Sequence, residues 1–248
     1  MTQILVETAG SAIRVIRFNR PEKKNAITTA MYHELTAALA AAAKDDAVRC
    51  IAFLGTPGCF SAGNDLADFL AFAEESPDEQ PAAFAFLKAL AGFEKPVVAG
   101  VDGLAIGIGL TLNLHCDLTI ASDRSLFRTP FVDLGLVPEA ASSLIAPGIM
   151  GHQRAFALLA MGEGMTAEEA RAAGLVWRVV SPEAVETETL AAARKLAGRP
   201  VEALRATRAL LKGDASAIFA RMEEEVALFT ERLKSDEARA EFRRFLKR

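Results

Sequence analysis

Among 248 residues there are one tyrosine, one tryptophan, three histidines and three cysteines, and each scarcity closes a route. Cys50, Cys59 and Cys116 are odd in number and widely spaced, so they offer neither a disulfide framework nor a Cys-x-x-Cys metal or redox pair. That usage predicts a reducing compartment, and a cytoplasmic location is expected. His33, His115 and His152 stand at no spacing from cysteines or acids that suits a metal, so no metal site is expected. Charge of one sign is also lacking: 32 acidic against 28 basic residues leave a formal charge of −4, with no Lys/Arg stripe to neutralise a polyanion, which excludes a nucleic-acid partner. The longest apolar tract, residues 97–122, is interrupted by Asp102, Asn113, His115 and Asp117, and reads as buried core rather than a membrane span. Residues 1–10 have neither a basic nor an apolar signal region, and Leu246-Lys247-Arg248 matches no peroxisomal or lipidation tail.

What is present suffices for a full core. At 51% hydrophobic and 24% charged, the chain falls in the globular range, and its length predicts one domain with at most a smaller appendage. Residues 13–18 alternate apolar and charged, which predicts a strand. A helix follows from a cap at Thr28 or Thr29, with Met31, Leu35 and Leu39 at four-residue spacing. Apolar strands are expected at 48–54, 96–101 and 118–121, and helices at 66–75 and 82–93, joined by a polar loop at 76–81. Thr166-Ala167-Glu168-Glu169 is a capping box whose helix stops at Gly174, and a last strand follows at 176–180. After that only helical patterns occur, at 183–197, 201–211, 215–233 and from 236 onward. Strands thus alternate with helices over two-thirds of an α/β chain, and a run of helices completes it.

Two glycine-rich segments each leave a strand and enter a helix. In Gly103-Leu-Ala-Ile-Gly107-Ile-Gly109, Gly107 and Gly109 allow another group to approach the backbone. A dinucleotide role fails here. The motif lies two-fifths of the way along rather than on a first strand, no acid ends a second strand downstream, and the lone Tyr32 is followed four residues later by Thr36 instead of a lysine. No Gly-Lys-Ser/Thr follows, which excludes a P-loop. The second segment is Gly58-Cys59-Phe60-Ser61-Ala62-Gly63-Asn64-Asp65. Two such turns with free amides can converge on one oxyanion.

These segments, with Arg20-Pro-Glu-Lys-Lys-Asn-Ala26, Lys95-Pro-Val-Val-Ala-Gly-Val-Asp-Gly103, Cys116-Asp117 and Gly174-Leu175-Val176, give the chain a resemblance to the crotonase (enoyl-CoA hydratase/isomerase) superfamily over nearly its whole length. The resemblance implies a spiral of ββα turns over residues 1–190 and a helical C-terminal region over 191–248 that joins homotrimers or dimers of trimers. It implies an acyl-CoA thioester as substrate, with coenzyme A entering as part of it and no separate cofactor. The backbone N–H groups of Ala62 and Ile108 are expected to form an oxyanion hole, with Ile108 where many relatives carry glycine. Ser61, Gly63, Asn64, Asp65, Gly107 and Phe131 are expected around the substrate, with Lys24 near the CoA phosphates. Segments 66–72 and 82–93 and the C-terminal helices are expected to line the acyl pocket.

The carboxylates then separate the reactions. Hydratases of this family place two glutamates around a water, at positions held here by Thr111 and Phe131, neither of which takes a proton at neutral pH. The stretch 121–143 resembles instead the peroxisomal type of delta-3,delta-2-enoyl-CoA isomerase, whose glutamate after a proline maps onto Glu139. Glu139 also follows Pro138 at an expected helix start, where an acid is favoured by the helix dipole for stability alone. Phe131, Leu134, Leu136 and Val137 are expected to wall the carboxyl and raise its proton affinity, whereas Asp133 reads as a loop acid and Cys59 lacks an adjacent base. The leading expectation is a single-glutamate isomerase. The alternatives are a hydratase or divergent crotonase using Glu139 with a water, and a non-catalytic acyl-CoA-binding paralogue.

Overall fold

The computed structural model describes residues 2–75 and 81–246, so the loop expected at 76–81 lies, apart from Pro81, outside the described residues. The alternating segment forms β2 (Ile13–Phe18), with an antiparallel partner before it, β1 (Ile4–Ala9). Helix α1 (Thr29–Lys44) begins where Thr28 accepts the Met31 amide, and it buries Met31, Leu35 and Leu39 on one face. Three turns of similar build follow. The first is β3 (Cys50–Leu54), β4 (Cys59–Ser61), α2 (Leu66–Glu75) and α3 (Ala82–Ala91). The second is β5 (Val97–Val101), β6 (Leu104–Ile106) and α4 (Ile108–Thr111), and the third is β7 (Leu118–Ser122), β8 (Leu126–Arg128), α5 (Ser142–Met150) and α6 (His152–Leu159). Each turn gives its first strand to one sheet and its second strand to another, which is the geometry of a ββα spiral.

Among the described residues the larger sheet has the order β1-β2-β3-β5-β7-β10 and is parallel from β2 onward; β10 is Arg178–Val180. The smaller sheet has the order β4-β6-β8-β9, where β9 (Met165–Thr166) runs antiparallel to β8. Helix α7 (Ala167–Ala172) opens with the expected capping box, Thr166 and Glu169 each accepting the other's amide. Helices α8 (Val185–Ala197), α9 (Val201–Lys212), α10 (Ala215–Leu233) and α11 (Asp236–Leu246) complete the chain. The main core joins both sheets to α1, α3, α10 and α11. Phe229 of α10 meets Phe69 and Phe84 edge to face, with ring centroids 5.8 and 5.5 Å apart. A second core lies on the other side of the large sheet, where Ala192 and Ala193 of α8 cover Val15, Ala52 and Val98. Helix α8 therefore runs continuously across residue 190, where the sequence placed a boundary.

Several elements differ from the sequence expectations. The segment 58–65 does not pass directly from loop to helix, because Cys59–Ser61 pairs as β4, and Leu104–Ile106 pairs as β6 before the chain turns into α4. Strands of three residues are too short to display an alternation. The helix start expected at Pro138-Glu139 is displaced: α5 begins only at Ser142, and Pro147 and Gly148 inside it interrupt its pattern.

Candidate active site

Glu139 is 3% exposed, and Thr111 Oγ1 donates to its Oε1 at 2.5 Å. Burial pushes the carboxyl up to about 8; the Thr111 bond works against that rise and the charge of Glu225 adds to it. Glu139 does not sit in the first turn of a helix. Ala140 and Ala141 follow it with φ of 65° and 52°, and α5 begins only at Ser142. The stabilising role of an acid at a helix start, open from sequence, is thereby removed. Phe131, Leu134 and Leu136 are buried in the main core with Val137 packed against it, and the carbonyl of Phe131 accepts the Leu136 amide at 2.8 Å.

The two glycine turns lie back to back. Gly63, at φ 91°, stands so close to β6 that an added Cβ would come within 2.9 Å of the Ile106 carbonyl oxygen; Gly107, at φ 54°, faces the Gly63 Cα. A side chain at either position would be strained by its backbone conformation. Ile108 opens α4 and Thr111 closes it, so one helical turn carries both a free amide and the Glu139 partner. In the other turn the sequence expectation is corrected: the Ala62 amide donates to the Lys24 carbonyl at 2.9 Å and is therefore occupied. Among the described residues, neither the Asn64 amide nor the Ile108 amide donates to a protein acceptor.

The acceptor that captures Ala62 comes from a strained loop. Lys24 and Asn25 adopt φ of 51° and 54°, and the buried Asn25 side chain donates to Thr56 Oγ1 and to the carbonyls of Cys59 and Phe60. Ser61 is structural, since its hydroxyl donates to the Asn25 carbonyl and accepts the Gly63 amide. Asp65 caps α2 by accepting the Ala67 and Asp68 amides; burial works to raise its proton affinity, but Arg20 at 2.7 Å and these amides hold it below the ordinary value. The Lys24 ammonium is exposed and, among the described residues, has no carboxylate at ion-pair distance. Burial raises the Cys59 thiol to about 11, which makes it a poor nucleophile. Asp133 pairs with Arg128 at the surface, and His33 and His152 are exposed.

One residue of the site was missed in sequence reasoning. Tyr32 is buried on α1, and its hydroxyl donates to Asn64 Oδ1. Burial, together with the charges of Glu139 and Asp68, holds the phenol well above its ordinary value, so it remains a donor. The four-residue spacing that buries Met31 and Leu35 was legible, but the chain reversal that brings Asn64 to Tyr32 was not. A cleft of about 770 Å³ between α1, the loop after α3 and the start of α9 contains none of these groups and lies away from the chemistry.

The family model described as enoyl-CoA hydratase/isomerase matches residues 8–248. Enoyl-CoA delta isomerase 2 of Homo sapiens is 39% identical over 215 residues, covering 85% of this chain and 54% of that protein, so the chain spans about half the length of that relative. Enoyl-CoA delta isomerase 3, peroxisomal, of Mus musculus is 35% identical over 98% of this chain and 78% of its own. The structure of Pseudomonas aeruginosa OdaA superposes with a TM-score of 0.94 at 37% identity and covers all of both chains. A chain that folds as a ββα spiral, with two abutting glycine turns beside a buried carboxyl, and that matches the family model over nearly all of its length, belongs to the enoyl-CoA hydratase/isomerase family.

Proposed function

We propose that the chain isomerises a 3-enoyl-CoA to the 2-enoyl-CoA, with Glu139 as the single proton shuttle. The observation that carries this reading is the contact between Thr111 and Glu139 at 2.5 Å. Water addition needs two carboxyls around the water, and one of those places is filled by a hydroxyl that stays protonated at neutral pH. Isomerisation needs only one. The Glu139 carboxylate removes a proton from C2, the electron pair forms a dienolate whose charge rests on the thioester oxygen, and the same carboxyl returns the proton to C4. The double bond then lies between C2 and C3 and no proton is gained or lost. The unoccupied amides of Asn64 and Ile108 in the abutting turns support a role as the oxyanion hole, in place of the Ala62 and Ile108 pair. Each such donor is worth about 3 to 4 kcal/mol in the transition state.

The exposed Lys24 suits the CoA phosphates, and the phenylalanines 69, 84 and 229 suit the acyl chain; the side chain of Phe72 lies outside the described residues. Leu210 and Leu211 on α9, 84% and 83% exposed, suit burial in a homotrimer or dimer of trimers. The unpaired thiols fit a cytoplasmic setting. Offering 3-enoyl-CoA and 2-enoyl-CoA separately, and following double-bond position and hydration by NMR, tests the reading. Double-bond migration without hydration is expected. Hydration of the 2-enoyl thioester without migration would replace the proposal with a hydratase, and inertness with measurable thioester binding would replace it with a binding paralogue.

A further inference from the structure

The turn that carries Glu139 is built from the residues least suited to it. Ala140 and Ala141 are buried at 1% and 0% exposure with φ of 65° and 52°, a left-handed conformation that strains a residue with a Cβ. Buried amides in such a turn need acceptors. These come from α10: the Glu225 carboxylate accepts the Ala141 amide at 2.6 Å, the Ser143 amide at 3.1 Å and the Ser143 hydroxyl at 2.6 Å. Arg221, one helical turn earlier, donates to Ser143 Oγ at 3.2 Å. On the other flank the His115 ring contacts the Ala140 carbonyl at 2.8 Å. Burial lowers that imidazole to about 4, so it is neutral and Nε2 carries the proton it donates.

We propose that Glu225 is the positioning residue of Glu139: as a carboxylate it clamps the amides of Ala141 and Ser143, holds the left-handed turn, and so aims Glu139 at Thr111 and the paired glycine turns. The inference rests on Glu139 being the proton shuttle. It makes the C-terminal helical region part of the catalytic geometry rather than a cover over it. Charge supports the same arrangement. Glu139 faces Tyr32 from α1, Thr111 from α4 and Glu225 from α10, and of these Glu225 is the negative group that favours the protonated form of Glu139.

The test uses the full chain carrying Glu225→Gln, whose single carbonyl oxygen cannot replace both carboxylate oxygens and whose NH2 opposes an N–H. Turnover of 3-enoyl-CoA should fall about tenfold with KM changed less than about twofold, because aim is lost and binding is not. The titration of Glu139, followed by carbon NMR with carboxyl-labelled glutamate and assigned by the signal missing in Glu139→Gln, should move down by about half a pH unit or more. Adding Ala141→Gly, which adopts the left-handed turn without strain, should restore most of the lost turnover and leave the titration shift in place. Unchanged turnover and unchanged titration in Glu225→Gln would overturn the proposal, as would a turnover loss that glycine does not relieve. If Glu225→Gln alone does not fold, the double variant decides: recovery of a folded, active protein by Ala141→Gly supports the clamp, and a double variant that still does not fold or turn over overturns it. Thermal melts need no substrate: a stability loss in Glu225→Gln that Ala141→Gly relieves supports the clamp and one that it does not relieve overturns it, even if inertness toward 3-enoyl-CoA removes the isomerase reading.

Discussion

Two carboxyls lie buried on either side of one turn, Glu139 at 3% and Glu225 at 5% exposure, and burial raises the proton affinity of both. Their surroundings differ in what opposes that rise. Glu225 accepts two amides and a hydroxyl and feels the Arg221 guanidinium, whereas Glu139 has one hydroxyl from Thr111. A carboxyl saturated with donors is held in one state and serves as architecture. A carboxyl left with a single donor in an apolar site keeps two states within reach of neutral pH, which proton transfer requires.

Substitutions should therefore act with opposite sign on stability. Glu139→Gln should reduce isomerisation by about three orders of magnitude while leaving acyl-CoA affinity nearly intact; near-normal turnover would end the assignment. The same change should stabilise the protein. As pH rises from the ordinary glutamate value of 4.5, the unfolded chain ionises while folded Glu139 keeps its proton until about 8, so the wild type loses stability across that window and does not regain it above. The Gln variant escapes this loss, and its advantage in denaturant melts should grow from pH 5 to 8 toward a few kcal/mol. A constant difference across that range would contradict the buried, proton-retaining carboxyl. Glu225→Ala should do the reverse, lowering stability by about 2–4 kcal/mol at neutral pH because the Ala141 and Ser143 amides lose their acceptor; equal melts would show that the turn stands without its clamp.

The same contrast explains what was legible in the sequence. Strands β2, β3, β5 and β7 are runs of five or six residues with a clear hydrophobic signal, and these four neighbours in the large sheet could be read, whereas β1, equally long but with three consecutive exposed residues, could not. Strands β4, β6 and β8 have three residues each, and the small sheet could not. Glu139 was reachable because its motif is local, whereas its partner Thr111 is 28 residues away and Glu225 stands 84 residues from Ala141. The oxyanion pair shows the limit most sharply. Whether Ala62 or Asn64 offers a free amide depends on where the Lys24 carbonyl points, and that follows from a left-handed Lys24-Asn25 pair docked on β4. A motif identifies the turn, but only the fold says which N–H the turn leaves over.

Two smaller effects separate the proton from the oxyanion. Thr111→Val removes the donor that favours ionised Glu139, so its proton affinity should rise and the acid limb of kcat/KM should move above about pH 8. The rate at pH 7 should fall about tenfold, because less of the enzyme holds the base form; a limb that stays in place would mean that the bond does not tune the acid. Tyr32→Phe should act more weakly and differently. The phenol never ionises in the working range, so its removal changes no charge beside Glu139 and the pH profile should keep its limb. What is lost is the hydroxyl that fixes the Asn64 side chain, and with it the aim of the Asn64 amide. A loss of about 1 kcal/mol, or about fivefold in kcat, is expected at every pH. If the limb moves instead, Tyr32 acts on the proton shuttle rather than through Asn64, and the division of labour between α1 and α10 fails.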